Sequence, residues 1–118
     1  MATGKIQAIP VLDEASTTTI SDVLTAASGV TVSSVSFARW GKMATLRIGC
    51  KKSSSISGQD NTIATLKDGY KTSIYVYGNP VLPTGMTTCA LTASGNVQVG
   101  GTISANTNMY MGFVYILE

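Results

Sequence analysis

From residue 30 onward the apolar side chains of this sequence recur at every second position, and that period decides what the chain can build. Ala44, Leu46, Ile48 and Cys50 alternate with Thr45, Arg47 and Gly49. Side chains two apart share one face of an extended strand, so this run has one apolar and one wet face. The preceding run, Thr31-Val32-Ser33-Ser34-Val35-Ser36-Phe37-Ala38-Arg39-Trp40, alternates likewise but slips by one at Ser33-Ser34, which predicts a bulge. Gly41-Lys42 turns the chain between the two. Residues 51–61 are polar and read as a long loop around a short strand at Ile56, and residues 62–66 read as a strand turned by Lys67-Asp68-Gly69. Thr72-Ser73-Ile74-Tyr75-Val76-Tyr77 is β-branched and aromatic, hence strand. It ends at Gly78-Asn79-Pro80, and Pro80 and Pro83 keep Val81 and Leu82 out of a central ladder. Cys89, Leu91 and Ala93 form an inward face, Ser94-Gly95-Asn96 a hairpin turn, and Val97 and Val99 the return strand. Residues 109–117 are apolar on both faces, which predicts either a central strand or one buried between subunits. Some seven short strands separated by turn signals predict an all-β fold, a jelly-roll-like antiparallel β-sandwich.

The first 29 residues differ. Ile6-Gln7-Ala8-Ile9-Pro10-Val11-Leu12 is a short extended apolar piece broken by Pro10, followed by the acidic turn Asp13-Glu14. Thr19 reads as a helix cap with Asp22 three residues on, and Ile20, Val23, Leu24 and Ala27 fall on one face of a two-turn helix stopped by Gly29. So short a helix must dock its stripe, either on the sandwich or on sister helices. The expected organisation is an N-terminal extended or helical shoulder or stem over residues 1–29 and a sandwich head over residues 30–118. A length of 118 residues is right for one domain.

Composition narrows the function. Charged residues are only 12% against 44% hydrophobic, and Ser and Thr fill roughly a quarter of the chain, well above ordinary usage. Two readings stand side by side: part of the surface is covered by another copy, or the surface is simply neutral and hydroxyl-rich. A net charge of +2 with only Lys51-Lys52 adjacent provides no cationic groove for nucleic acid. No run is long enough to predict membrane insertion, and no apolar stretch after Met1 reads as a signal peptide. The expectation is a protein made in a cytoplasm. Cys50 and Cys89 sit within apolar alternations and read as free buried thiols. No histidine is present, which removes Ser-His-Asp and Cys-His catalysis and His-ligated zinc. Asp60 and Asp68 fall in polar loops and lack the apolar surround that raises a glycosidase acid. Gly100-Gly101 lacks the lysine and helix of a phosphate loop. The expectation is a non-enzyme without cofactor or metal.

Saccharide binding needs a flat aromatic face for the C–H side of the sugar and polar groups for its hydroxyls. Trp40, at a strand end, reads first as a core or interface plug. Tyr75 and Tyr77 share a face and point outward if Ile74 and Val76 point in. They are either a cross-strand pair on a wet face or part of a ligand site. Polar candidates lie in the loops Gln59-Asp60-Asn61 and Asn106-Thr107-Asn108, chiefly Asp60, Asn61, Asn106 and Asn108, with plain loop solvation as the other reading.

From Val30 onward, the order of features resembles the C-terminal head domain of phage and prophage tail fibre or baseplate receptor-binding proteins of Gram-positive hosts. The resemblance rests on Val35-Ser36-Phe37-Ala38-Arg39-Trp40-Gly41-Lys42-Met43-Ala44-Thr45-Leu46 and on Ile63-Ala64-Thr65-Leu66-Lys67-Asp68-Gly69-Tyr70-Lys71. The hairpin Cys89-Ala90-Leu91-Thr92-Ala93-Ser94-Gly95-Asn96-Val97-Gln98-Val99 and the closing aromatic strand from Tyr110 to Leu117 complete it. Lys67 and Thr72 stand where the family often has prolines. The resemblance implies a homotrimer in the phage virion that contacts other tail or baseplate proteins and recognises a bacterial cell-surface saccharide. The alternative is a purely structural trimerising module that never touches the host.

Overall fold

The alternation in residues 43–52 becomes the central strand of one sheet in the computed structural model, which describes residues 14–118. Ten strands and one helical turn follow in order: β1 (Glu14–Thr17), α1 (Ile20–Val23), β2 (Leu24–Ala26), β3 (Val30–Trp40), β4 (Met43–Lys52), β5 (Asn61–Leu66), β6 (Val76–Tyr77), β7 (Asn79–Leu82), β8 (Met86–Leu91), β9 (Asn96–Gly101) and β10 (Met109–Ile116). They form two five-stranded sheets, β1-β3-β4-β10-β7 (sheet I) and β2-β5-β9-β8-β6 (sheet II), and every pairing is antiparallel. β4 pairs with β10, β5 with β9 and β6 with β8. This nesting is that of one long hairpin rolled up, which makes the sandwich jelly-roll-like.

The core lies between the sheets. Leu46, Ile48 and Cys50 of β4 and Met109, Met111 and Phe113 of β10 meet Val97 and Val99 of β9 and Cys89 and Leu91 of β8 within one buried cluster. Full burial of each aliphatic side chain contributes about 1.5–3 kcal/mol. β3 carries its bulge between Val32 and Ser34, so Val32 and Val35, three apart, both turn inward. The β3–β4 hairpin closes on two residues with Gly41 at φ +60° in the first central position, a left-handed conformation glycine adopts without cost. Both thiols are free and buried, one beneath each sheet. Burial pushes Cys50 up to about 11 and Cys89 up to about 11.

Two expectations need correction. The two-turn helix is a single turn, Ile20–Val23, whose N-terminal Thr19 makes no side-chain capping bond. Leu24–Ala26 leaves the helix to pair with β5, Leu24 opposite Leu66. A ladder along an open sheet edge satisfies these backbone groups better than a second unsupported turn. Val23 and Leu24 are buried, and Ile20 and Ala27 pack against the core. Within the segment expected as a shoulder, β1 and β2 are the edge strands of the two sheets. The expected apolar piece at residues 6–12 lies outside the described residues.

The second correction concerns residues 72–77. Only Val76–Tyr77 is a strand, with Thr72 bridging Leu117. Ile74, expected inside, is 63% exposed. The segment crosses from the edge beside β10, where Ser73 N–H donates to Ile116 O at 2.9 Å, to the edge of sheet II at β6. Past Gly78 it returns to sheet I as β7. A crossing chain cannot keep the period of one sheet, so alternation places Val76, which packs against the core, but not Ile74. At Gly78 the N–H donates to Cys89 O at 2.8 Å, and a Cβ would stand 2.4 Å from the Phe113 ring. Only glycine fits. β7 is an edge strand, as Pro80 and Pro83 require.

Candidate ligand-binding site

The outward face of sheet II is polar. Thr62, Gln98 and Ala90 lie side by side across β5, β9 and β8, with Tyr77 next in the row on β6. Gln98 points out because Val97 and Val99 on either side are fully buried. One row further, Gly100 pairs with Thr88, and the missing side chain at Gly100 lets Gln59 reach over the sheet. A Cβ there would stand 2.3 Å from the Gln59 Oε1 and 2.5 Å from the Thr88 Oγ1. The Thr88 hydroxyl donates to Gln59 Oε1 at 3.0 Å. Gln59, Asp60, Tyr75, Tyr77, Thr88, Ala90, Gln98 and Val99 together line an open groove of about 230 Å³, with room for one six-membered ring.

The tyrosines form its aromatic wall. Their ring centroids are 5.3 Å apart and the planes cross at 71°, the edge-to-face arrangement that aromatic quadrupoles favour. Tyr77 is 73% exposed, so one ring face is open to a ligand. Burial first, then the nearby Tyr77 and Asp60 and a hydrogen bond with Tyr77, holds the Tyr75 hydroxyl protonated above the usual phenol range. Asp60 adopts φ +60°, a left-handed conformation that Asp tolerates better than most residues. It stands where the polar loop rises beside β5.

Of the six residues predicted from sequence, the structure brings Tyr75, Tyr77 and Asp60 into one groove. Asn61 adjoins it, but its Nδ2 donates to the carbonyls of Ser57, Gly58 and Val99, each at 3.3 Å, so its amide braces the loop. Asn106 and Asn108 lie in the β9–β10 connection and do not line this groove. Asn106, at φ +60°, donates its backbone N–H to Lys52 O at 2.7 Å and acts as a turn residue. Thr88 and Gln98 were missed, although Gln98 between two inward valines carries its outward direction in the alternation itself.

Sheet I has a different outer face. Trp40, Met43, Val114 and Ile116 gather at its β3–β4 hairpin end, where Trp40 pairs with Met43 and Met43 with Ile116. Trp40 is 47% exposed, which removes its reading as a core plug. Further along the same face, Ser36, Arg47, Gly112 and Asn79 form one row across β3, β4, β10 and β7. Two adjoining depressions of about 700 and 550 Å³ share these four residues.

The carboxylates are dispersed. Asp68 pairs with Lys71 at 3.2 Å and borders a groove with Tyr70 and Arg39, away from Asp60. Among the described residues no cluster of three or more His, Cys, Asp or Glu could hold a metal ion, and no helix is long and apolar enough to cross a membrane. No protein-family model matches the chain, and no curated protein matches it.

Proposed function

We propose that this chain is the receptor-binding head of a phage tail, which recognises a bacterial cell-surface saccharide as a homotrimer carried in the virion beside other tail or baseplate proteins. The carrying observation is the groove on sheet II, where the Tyr75–Tyr77 pair stands against Asp60, Gln59, Thr88 and Gln98. A tyrosine face takes the C–H side of a sugar ring, while the carboxylate and amides accept and donate to its hydroxyls. Asp60 and Asp68 lining separate grooves supports a reading without a hydrolytic step, which needs two carboxyls flanking one bond. Three shallow sites acting together would give useful avidity from weak single contacts. The order of sequence features shared with phage tail heads supports the virion location.

The test is a glycan array probed with the purified chain, repeated with Tyr75→Ala and Tyr77→Ala. Saccharide binding that both variants weaken is the expected result; binding that neither variant changes overturns this site. The apolar cluster of Trp40, Met43, Val114 and Ile116 favours a second reading, a structural trimerising module. That reading gains if the chain forms a trimer and binds no glycan.

A further inference from the structure

The row Ser36–Arg47–Gly112–Asn79 on sheet I is not used by the groove just described, yet the two share a residue. Tyr77 lines the sheet II groove and also the larger depression over Gly112, because the chain turns at Gly78 from one sheet edge to the other. Asn79, two residues on, is paired with Gly112, and Gly112 with Arg47. Arg47 therefore stands two strand spacings in from Asn79, about 10 Å. A ligand seated on Tyr77 and extended by one or two units along this path meets the guanidinium.

The depression exists because Gly112 has no side chain where its neighbours have one. A Cβ at Gly112 would have a single neighbour within 4 Å, the Leu46 carbonyl at 3.9 Å, so nothing in the fold excludes a larger residue. This contrasts with Gly49 one row along, whose missing side chain is covered by the Tyr110 ring at 2.9 Å. Into the space over Gly112 project the hydroxyls of Ser36 and Thr45, the Asn79 amide and Arg47. Among the described residues, no carboxylate lines either depression. A planar guanidinium set among neutral hydrogen-bonding groups matches a carboxylate or phosphate in two parallel hydrogen bonds.

We infer that the groove over Gly112 is a second subsite of the same ligand site, centred on Arg47, and that it selects a saccharide carrying a carboxylate or phosphate group. This rests on the saccharide reading of the Tyr75–Tyr77 groove and supplies its ligand class: the ring on the tyrosines, the anion on Arg47.

The experiment is an NMR titration of backbone amides with methyl glucuronoside, methyl glucoside and inorganic phosphate, on the natural chain, Arg47→Ala and Gly112→Val. Glucuronoside and phosphate are expected to shift Ser36, Arg47 and Gly112 in the natural chain, with affinity at least tenfold weaker in Arg47→Ala. Gly112→Val, which fills the groove and suits a strand, should keep the dispersed spectrum of a folded chain and lose the same shifts. Response to glucuronoside alone would assign the anion as a carboxylate, and response to phosphate alone as a phosphate. The proposal is overturned if neither anion moves these residues, or if their shifts survive Arg47→Ala. Failure of the parent reading looks different: methyl glucoside then leaves Tyr75 and Tyr77 unmoved while the anions still register at Arg47.

Discussion

The two sheets are alike on their inner faces and opposite on their outer ones. Inside, each presents aliphatic and sulfur-bearing side chains at every second position, and each hides one cysteine. Outside, sheet II shows Thr, Gln and a pair of tyrosines. Sheet I carries Trp40, Met43, Val81, Leu82, Tyr110, Val114 and Ile116, all substantially exposed. The apolar residues of sheet I form two groups, one on either side of the Ser36–Arg47–Gly112–Asn79 row, whereas the hydroxyl and amide face of sheet II is well solvated and has the polar groups a sugar needs. The difference teaches that one sandwich can carry two chemistries by face; on the proposed function, association falls to the hairpin end of sheet I around Trp40 and Met43, and recognition begins on sheet II. The residue joining the two is Gly78, around which the edge segment turns.

That division can be broken in several ways, the most drastic at the joint. Gly78→Ala forces a Cβ against the Phe113 ring and to 2.7 Å from the Gly112 carbonyl, and overpacking of this kind costs about 3 kcal/mol. Urea unfolding should show that loss; a change under about 0.5 kcal/mol would mean that the edge segment is not fixed where both grooves need it.

The sameness of the inner faces is tested by the thiols. With both pushed up to about 11 from a usual value of 9.0, the thiolate fraction at pH 8 is about a hundredfold lower than in the unfolded chain. Thiol-reactive dye should label Cys50 and Cys89 slowly and together in the native protein and rapidly in denaturant. The sign for stability follows. The unfolded chain releases these protons near pH 9 while the folded one retains them, so stability is full below pH 9 and falls as pH climbs towards 11. Unequal labelling would show that one sheet opens before the other.

A smaller effect is expected on the apolar outer face. Met43, 48% exposed at the hairpin end and outside both depressions, tolerates charge in a lone subunit, so Met43→Lys should leave unfolding within about 0.5 kcal/mol. In an interface the same change should weaken association by about 2 kcal/mol, visible in sedimentation equilibrium. An unmodified chain that remains monomeric at high concentration would remove association from sheet I. The smallest effect belongs to Tyr77→Ala, which should weaken saccharide binding about tenfold, or about 1.4 kcal/mol, with no change in oligomeric state.

Where one sheet governs a segment throughout, the fold could be read residue by residue. The bulge near Ser33-Ser34 and the Gly41-Lys42 turn were legible because turn chemistry and alternation agree there; the β8–β9 hairpin was placed late, since its turn runs from Thr92 to Gly95, Ala93 is an exposed turn residue rather than an inward one, and Asn96 already belongs to β9. Reading failed where the chain leaves one partner for another. Leu24 fits a helical stripe and a strand equally well, and the open edge of β5 decided between them. Ile74 alternates properly but sits in a crossing, so no sheet claims it. The site was half legible: Tyr75, Tyr77 and Asp60 were found from residue type. Asn106 and Asn108 shared their chemistry but lie in the β9–β10 connection, where Asn106 serves a turn, and Thr88 and Gln98 became candidates only once their strands were neighbours.

By itself the sequence determined which side chains turn inward along most strands, because a period of two needs no knowledge of partners. It also determined the chemistry on offer, with no imidazole, few charges and many hydroxyls. Tertiary structure alone decided which outward residues meet. Tyr75 and Gln98, or Arg47 and Asn79, are far apart along the chain and are joined only by the nested pairing of β4 with β10, β5 with β9 and β6 with β8. Strand order is a choice among distant edges of similar appearance, settled by the packing of the whole core and not by any local run of residues.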